Sequence, residues 1–424
     1  MTLNELLKQK KYKEIWQEYC SFVDLSLADY MEIQKRLMYE QIDTMYKCEL
    51  GRRFMSGKKP ETLNEYRKTV PLTTYGDYAD VLSKKKTSAL PSEPIIWIEA
   101  TRGNGRNPAK AAPYTEGMIK AYRRAFISAM IFATSQKKGA FSLRRNDCFL
   151  YGMASLPHLT GLGPYVLDGE IDMTFLPDQK QAEKLSFGPR SRLGFYLGTP
   201  KGVDLYFDTG DAVIEMSEHF LTEEYAKASL QRVLKNSPRM SWRLGKAWAR
   251  KKLSGKPTLP KDIWRLKGLI YTRADALPLK AKIEEYWGVK PLEIFSSAES
   301  TCIGTETWSK NGMVLFPDAC FYEFIPEAEW EKTSENPQYV PKTYLMDELA
   351  AGLKYELVIS NYKGGAFMRY RVGDTFKCLS LKNEKEGVNF PQFEYIDRVS
   401  SIIDVAGVAR ITEETFARGI EQAL

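Results

Sequence analysis

The chain has 424 residues and a formal net charge of +7, and 43% of its residues are hydrophobic. This length and composition allow a large buried core, which excludes a disordered protein and a small disulfide-stabilised one. Six cysteines are scattered singly and only two histidines are present, so no short ligand cluster for a structural zinc ion exists.

The N-terminus is charged and lacks the apolar core of a signal peptide. The longest apolar stretch, residues 125–134, is about half as long as a membrane span. We therefore expect a cytoplasmic protein without a membrane span, whose cysteines are free thiols.

Residues 3–50 are predicted to be helical, because apolar side chains recur there at helical spacing and proline is absent. Further on, residues 94–98 are typical of a short buried strand, and a loop with glycines and cations follows over 101–110. A long helix is expected from Thr115, its N-cap, to about residue 134. Strand, loop and helix in this order are typical of phosphate sites, although a glycine-rich loop alone is more often a simple connector.

Residues 140–330 alternate strand-like runs, such as 148–151 and 203–207, with helical ones, such as 222–235 and 279–287. This alternation predicts a layered α/β domain. From residue 350 the pattern becomes β-rich, and a hairpin is predicted from strands at 355–360 and 366–370.

Six segments, in this order, resemble motifs of the adenylate-forming (acyl-AMP) ligase superfamily. They are residues 70–78, the loop 101–110, residues 295–299, 316–326, 370–374, and Asp397-Arg398 with 403–407. The resemblance is closest to the auxin- and jasmonate-type acyl-acid amido synthetases and their bacterial relatives, and more distant to phenylacetate–CoA ligases.

The resemblance implies an α/β fold with a large adenylating N-terminal domain over residues 1–396. That domain would contain mixed sheets flanked by helices and a small β-rich subdomain. Residues 397–424 would be the hinge and the first part, including a helix at 413–424, of a C-terminal lid that is mostly absent.

The implied function is ATP-dependent activation of a carboxylic acid as acyl-AMP. The acyl group would then pass to an amine, such as an amino acid, or to a thiol, such as that of coenzyme A. The implied cofactors are ATP and Mg²⁺. The alternative is a non-catalytic relative that binds a nucleotide or a protein partner through a degenerate phosphate loop.

By the same resemblance, Glu299 is the expected magnesium ligand and a catalytic residue, with Lys110 and Arg398 as the other catalytic residues. Phe295 would stack on adenine and Asp374 would bind the ribose hydroxyls. The remaining expected nucleotide-binding residues are Thr101, Arg102, Gly103, Asn104, Ser296, Ser297 and Ala298.

Each of these residues also has a plain structural interpretation. Glu299 could be a solvated glutamate, Phe295 a core residue, Asp374 a turn residue and Arg398 part of a surface ion pair. The chain departs from the family at Arg102, Asn104, Gly105 and Ala298, where hydroxyl side chains are usual. Arginine and asparagine still donate hydrogen bonds to phosphate, but the shape of the loop must differ.

Residues 239–267 concentrate the positive charge, since they contain ten lysines or arginines and one acid, Asp262. Cations interleaved with tryptophans are found at nucleic-acid and membrane surfaces, or could receive an acidic carrier protein. We favour a simpler interpretation, in which Trp242, Leu244 and Trp248 pack inward and leave a solvated basic face, with no specific nucleic-acid partner.

Overall fold

The computed structural model describes residues 1–100, 110–218, 238–255, 257–272, 279–336, 338–398, 402–405 and 409–412. The helices among these residues are α1 (Leu3–Lys8), α2 (Tyr12–Cys20), α3 (Leu27–Tyr46), α4 (Glu49–Phe54), α5 (Leu63–Thr69), α6 (Ala79–Leu82), α7 (Glu116–Ala133), α8 (Leu162–Leu167), α9 (Gln179–Ala182), α10 (Phe187–Lys201), α11 (Gly210–Glu218), α12 (Pro238–Ser254), α13 (Pro260–Ile263), α14 (Lys280–Trp287) and α15 (Glu327–Glu335).

The strands in the same part of the chain are β1 (Ile96–Ala100), β2 (Lys110–Tyr114), β3 (Ser135–Lys137), β4 (Ala140–Phe141), β5 (Cys148–Tyr151), β6 (Thr174–Leu176), β7 (Leu205–Thr209), β8 (Gly268–Thr272), β9 (Leu292–Ser297), β10 (Thr301–Glu306), β11 (Met313–Leu315), β12 (Cys320–Pro326), β13 (Lys354–Asn361), β14 (Tyr370–Ser380), β15 (Gln392–Arg398), β16 (Ile402–Val405) and β17 (Ala409–Thr412).

One sheet of eleven described strands organises the fold, in the order β12-β13-β14-β15-β11-β10-β9-β8-β7-β5-β6. Strands β5 to β9 pair in parallel, whereas every pair from β9 to β12 is antiparallel. The predicted α/β class is confirmed. Of the strands after residue 350, β13 to β15 extend this same sheet, whereas β16 and β17 pair with each other in a separate two-stranded sheet.

Hydrophobic clusters cover both faces of the parallel half, as a sheet of this kind requires. Helix α7 lies in the larger cluster and approaches β8 closely, since a Cβ on Gly268 would stand 2.8 Å from the carbonyl carbon of Ala133. The second cluster joins β7 and β8 to residues of α10, α12 and α14. Trp264 and Trp287 stack there with ring centroids 5.9 Å apart.

The helical prediction for residues 3–50 holds in type, although the segment divides into α1 to α4. The breaks coincide with new N-caps, because the side chains of Ser26 and Cys48 accept hydrogen bonds from the first turns of α3 and α4. Helix α7 also begins as predicted, with the Thr115 hydroxyl accepting from the Met118 N–H at 3.2 Å.

Strand β1 begins two residues later than predicted and pairs antiparallel with β2, which the sequence did not suggest. The glycines and cations predicted a loop over 101–110, and Pro113 lies within β2. A proline is tolerated here because β2 belongs to a two-stranded ribbon with free edges.

The predicted second strand of the hairpin, at 366–370, is wrong, because β14 begins only at Tyr370. Residues 362–369 form the connection, and helix α3 holds them in place. The Gln41 side chain donates to the Gly365 carbonyl at 2.9 Å and accepts from the Gly364 N–H at 3.0 Å. These long-range contacts override the local strand signal.

The predicted inward packing of α12 is wrong for its tryptophans. Met240, Leu244 and Ala247 form the buried stripe, whereas Trp242 is 76% and Trp248 is 60% exposed. Residues 240, 244 and 247 follow helical spacing, and the two tryptophans, six residues apart, lie off that stripe.

Strand β15 continues to Arg398, two residues beyond the predicted domain boundary at 396/397. The division into a large domain and a lid stays a prediction. The helices expected at 222–235 and 413–424 lie outside the described residues. Among the residues that the structure describes, no helix has both the length and the apolar character needed to cross a bilayer.

Candidate active site

Glu299 follows β9 in a short turn, and side chains from β2 and β13 form hydrogen bonds with the backbone of that turn. The Tyr114 hydroxyl, at the end of β2, donates to the Ala298 carbonyl at 3.0 Å. The Asn361 side chain, at the end of β13, donates to the Glu299 carbonyl at 2.9 Å. Thr301 then leaves the turn with a φ of 70°, a backbone conformation that side chains rarely adopt and that recurs at functional sites.

The Glu299 carboxylate is the centre of a three-residue cluster. Its Oε1 accepts from the Tyr370 hydroxyl at 2.7 Å and lies 3.3 Å from the Lys110 ammonium. Lys110 Nζ is also 3.4 Å from the Tyr370 hydroxyl. Glu299 is 8% exposed, so it is neither a solvated surface glutamate nor an unpaired buried charge.

Lys110 receives further support from the 70–78 segment. The Tyr75 hydroxyl accepts from the Ala111 N–H at 2.7 Å, and the Lys110 ammonium lies 5.3 Å from the centroid of the Tyr75 ring. Thr73 joins this segment to the start of β14, because its N–H donates to the Arg369 carbonyl at 2.9 Å.

Asp374 and Arg398 are cross-strand partners in β14 and β15. Arg398 Nε lies 3.3 Å from Asp374 Oδ1, which also accepts from the Tyr395 hydroxyl at 3.2 Å. Burial raises the pKa of the Asp374 carboxyl to about 6, even though the Arg398 cation lowers it. The interpretation of Asp374 as a turn residue is wrong, since it lies within β14 and is 3% exposed.

Phe295 lies at the base of this region and is 7% exposed. Its ring stacks on Tyr395 with centroids 5.8 Å apart and meets the edge of Phe376 at 4.9 Å. Ser297, two residues further along β9, shares a 2.8 Å hydrogen bond with Ser300 and so helps to shape the turn before Glu299. Ser296 is half-buried and Ala298 is buried.

The structure therefore brings together Lys110, Glu299, Asp374 and Arg398, since the Glu299 charge also contributes to the raised pKa of Asp374. Thr101, Arg102, Gly103 and Asn104 lie outside the described residues, as does the rest of the predicted phosphate loop to residue 109. Tyr75, Tyr370 and Tyr395 received no role from the sequence. Tyr75 and Tyr370 do lie within two of the six motifs, which is the signal that could have identified them.

Two models of one protein family match this chain. The GH3 family N-terminal domain matches residues 21–147, and the GH3 family central domain matches residues 313–398. Together the two matches cover half of the chain. The chain belongs to the GH3 family. Lys110 lies in the first matched segment, Tyr370, Asp374 and Arg398 lie in the second, and Glu299 lies between them.

A curated relative of this GH3 chain is the probable indole-3-acetic acid-amido synthetase GH3.1 of Oryza sativa subsp. japonica. The two are 31% identical over 129 residues, which are 29% of this chain and only 20% of the rice protein.

Solved structures share the fold at low sequence identity. The AtGH3.15 acyl acid amido synthetase in complex with 2,4-DB has a TM-score of 0.67 and 13% identity, over 98% of this chain and 74% of that one. An open conformation of 2-hydroxyisobutyryl-CoA ligase, in complex with 2-HIB-AMP and CoA, has a TM-score of 0.60 and 14% identity, over 94% and 81% of the two chains.

The donor groups of this GH3 site fit a magnesium nucleotide. Mg²⁺ prefers oxygen ligands and is commonly held by one or two carboxylates together with substrate phosphates, and Glu299 presents such a carboxylate. Lys110 and Arg398 supply positive charge beside it, and Asp374 supplies an acceptor for hydroxyl groups.

A cavity lies at the carboxyl end of β5, with a volume of about 430 Å³ including the solvent at its mouth. Its wall is mainly apolar and includes Tyr151, Met153, Leu156, Phe175, Pro177 and Glu183. A hydrogen bond connects the wall of the cavity to β1. The carbonyl of Pro157, the residue after Leu156, accepts from the Glu99 N–H at 2.8 Å. Glu99 precedes Ala100, the cross-strand partner of Lys110.

Proposed function

We propose that this GH3 chain carries the adenylation site of an ATP- and Mg²⁺-dependent ligase that converts a carboxylic acid into an acyl-AMP. The observation that carries the proposal is the cluster of Glu299, Lys110 and Tyr370 beside the Asp374–Arg398 pair. In this arrangement Glu299 would bind the metal and Lys110 would neutralise the phosphates. Asp374 lies apart from them and would bind the ribose hydroxyls of the same nucleotide.

In the proposed reaction a carboxylate oxygen of the acid attacks the α-phosphorus of ATP. The bond from that phosphorus to the bridging oxygen breaks, and pyrophosphate leaves with the electron pair. No proton has to be removed from the ionised acid, so the protein acts by positioning and by neutralising charge. Bound Mg²⁺ would neutralise phosphate oxygens and orient them.

Each side chain then has a defined task. Glu299 holds the metal and Tyr370 holds Glu299, which fixes the direction of the carboxylate. Lys110 exchanges its contact with Glu299 for phosphate oxygens when the nucleotide binds. Asp374 accepts from the ribose hydroxyls, and Arg398 supports that carboxylate and reaches towards ribose or phosphate oxygens. The nearly buried Phe295 forms the apolar floor on which adenine rests.

The acid would bind in the cavity beside β5. The cavity opens to solvent and adjoins the site through the Glu99–Pro157 hydrogen bond. Because apolar side chains make up most of its wall, we propose an acid with a compact apolar or aromatic body. The Glu183 carboxylate disfavours a second anionic group on that body.

For the second step we propose transfer of the acyl group to an amine, in keeping with the family, and transfer to the thiol of coenzyme A as the alternative. Both acceptors attack the acyl carbon and release AMP, and the amine or thiol proton is lost to solvent or base. The rice relative is named as an amido synthetase and one structural neighbour as a CoA ligase, so both acceptors must be tested.

The test is carboxylate-dependent exchange of labelled pyrophosphate into ATP across a panel of aromatic, branched and straight-chain acids, with and without Mg²⁺. We expect exchange with some of these acids that requires the metal and disappears in Glu299→Ala. Glu394→Ala is the matched control, because Glu394 is an exposed carboxylate on β15 and its loss should leave exchange unchanged.

Nucleotide binding without exchange for any acid would overturn the ligase proposal and favour the non-catalytic relative. Where exchange occurs, hydroxamate formation with hydroxylamine reports the acyl-AMP. Incubation with single amino acids or with coenzyme A then shows which acceptor takes the acyl group.

A further inference from the structure

Helix α12 forms an amphipathic ridge whose outward side is unusually apolar. Trp242 is 76% and Leu253 is 89% exposed, and Ala249 between them is exposed as well. Residues 242, 249 and 253 are spaced seven and four apart, so they form one line along the helix. Trp248, 60% exposed, lies to one side of that line. Isolated exposed apolar residues are ordinary, but two tryptophans and a leucine on one helix are a patch.

Helix α12 is also strongly cationic along its length. The helix carries Arg239, Arg243, Lys246, Arg250, Lys251 and Lys252 and contains no acidic residue. Lys246 lies in the outward line itself, and Lys252 holds its ammonium 5.3 Å from the centroid of the Trp248 ring. Apolar side chains are therefore interleaved with lysines whose long stems can place the charge above or below them.

The ridge is firmly attached to the rest of the protein. Met240, Leu244 and Ala247 are buried in the second hydrophobic cluster. Arg243 Nη1 donates to the Ile263 carbonyl at 3.1 Å, and Arg250 Nη1 lies 2.6 Å from Asp262 Oδ1. Both anchors lead to α13, so the inner side and one flank of α12 are fixed while the apolar line stays outward.

We propose that α12 docks this protein on the surface of an anionic lipid bilayer. Trp242, Trp248 and Leu253 would enter the interface between headgroups and acyl chains, and Lys246 and Lys252 would contact anionic headgroups. Charge complementarity selects this occupant, because the most exposed apolar side chains of α12 lie beside Lys246 and Lys252 on a helix that contains no acidic residue.

Other partners fit this ridge less well. A nucleic acid would use the lysines and could stack on tryptophan, but it gives Leu253 no binding role. An acidic carrier protein would require carboxylates that match the lysines and also a groove for the apolar line. An anionic bilayer gives both the apolar side chains and the lysines a binding role. Tryptophan and leucine insert into its interface, and lysine binds its anionic headgroups.

The experiment is co-sedimentation of the protein with vesicles of phosphatidylcholine, with and without phosphatidylserine, at low and physiological salt. We expect binding that requires phosphatidylserine. The triple variant Trp242→Ala/Trp248→Ala/Leu253→Ala should weaken it at least about tenfold, and so should Lys246→Glu/Lys252→Glu. These positions are exposed, and circular dichroism and thermal unfolding of each variant establish that it is folded.

Matched controls are Val340→Ala, which removes an apolar side chain that is 75% exposed, and Lys13→Glu/Lys84→Glu, which reverses two exposed charges outside α12. Both should bind vesicles like the unchanged protein. Brominated acyl chains should quench the fluorescence of the unchanged protein and not that of the triple variant, which shows insertion of the α12 tryptophans.

The proposal is overturned if the protein does not bind vesicles or binds neutral and anionic vesicles equally. It is also overturned if the control variants lose as much binding as the α12 variants. It is also overturned if an oligonucleotide or an acidic protein binds the ridge and brominated lipids do not quench. Because vesicle binding is measured without nucleotide or acid, its outcome is independent of the ligase proposal.

Discussion

The Lys110 ammonium and the Glu299 carboxylate oxygen lie 3.3 Å apart, although they belong to strands and turns 189 residues apart in sequence. This contact places a cation next to the carboxylate that we assign to the metal. It also stabilises a carboxylate that is only 8% exposed. In the proposed reaction Lys110 would contact the phosphates instead, which would couple nucleotide binding to metal binding.

Glu299→Gln should reduce carboxylate-dependent pyrophosphate exchange by about a hundredfold or more. Glutamine has the same size and can still accept from Tyr370, but it lacks the charge that binds Mg²⁺. The measurement is the exchange rate at saturating ATP and acid over a series of Mg²⁺ concentrations. Glu394→Gln serves as the control. A Glu299→Gln protein with undiminished exchange would exclude Glu299 as the metal ligand.

Tyr370→Phe should raise the Mg²⁺ concentration needed for half-maximal exchange by about tenfold or more. The substitution removes only the hydroxyl that donates to Glu299 at 2.7 Å, and loss of such support typically weakens metal sites 10- to 100-fold. At saturating Mg²⁺ much of the rate should return, which a general loss of folding would not permit.

The control for Tyr370 is Tyr362→Phe, which removes the hydroxyl of another buried tyrosine that donates to the Gln34 carbonyl. It should change stability and leave the Mg²⁺ requirement unaltered. Equal metal dependence in the unchanged protein and Tyr370→Phe would refute a positioning role for Tyr370.

Asp374 should make nucleotide binding depend on pH. Burial raises the pKa of its carboxyl from 3.8 to about 6. The native protein therefore holds this proton more tightly than the unfolded chain, so the contribution of Asp374 to stability falls as pH rises from about 4 through about 6. Ribose hydroxyls need the ionised form as acceptor, so ATP affinity should rise from about pH 5 to about pH 7.

The measurement is the dissociation constant for ATP by calorimetry at several pH values. Asp374→Asn should lose the rise, and Arg398→Gln should move its midpoint upward, because the Arg398 cation lowers the pKa of Asp374. Asp208, whose pKa burial raises to about 7, is present in all three proteins and cancels in the comparison. An unchanged midpoint in Arg398→Gln would contradict the assigned pairing.

Much of this architecture could be predicted because its signals are local. The N-cap at Thr115 and the strands predicted at 148–151 and 203–207 each depend on a few neighbouring residues. The order of the six motifs predicted the family, which the two GH3 matches confirm. The joining of Lys110, Glu299 and Asp374 followed from that resemblance and from no property of any one segment.

What could not be predicted depends on distant partners. The sequence predicts a strand at 366–370, but residues up to 369 belong to the connection before β14. The Gln41 side chain of α3 forms hydrogen bonds with backbone groups of that connection. The support of Glu299 by Tyr370 depends on where β14 starts, which the same connection decides. For α12, composition indicated an amphipathic helix, but only its packing on α13 shows which side faces inward.

Arg369→Ala should lower the free energy of unfolding by about 3 kcal/mol. Arg369 is 5% exposed, and its Nε and Nη2 contact the two Glu323 oxygens at 2.9 and 3.0 Å. Its Nη1 also donates to the Val70 carbonyl at 2.7 Å, which ties the 70–78 segment to the start of β14. Removing it leaves the buried Glu323 with one neutral donor, the Thr343 hydroxyl at 2.6 Å, and a weaker contact to Arg67 at 3.4 Å.

Urea unfolding at neutral pH measures this loss, and Arg36→Ala is the matched control. Arg36 forms a 2.8 Å ion pair with Glu40 in which both side chains are largely exposed, so its removal should hardly change stability. Because the Arg369 side chain also holds the Arg67 and Val70 carbonyls, its loss should loosen the segment that carries Tyr75 and reduce exchange in the protein that remains folded. Equal stability of Arg369→Ala and Arg36→Ala would show that the buried pair does not fasten this segment to the sheet.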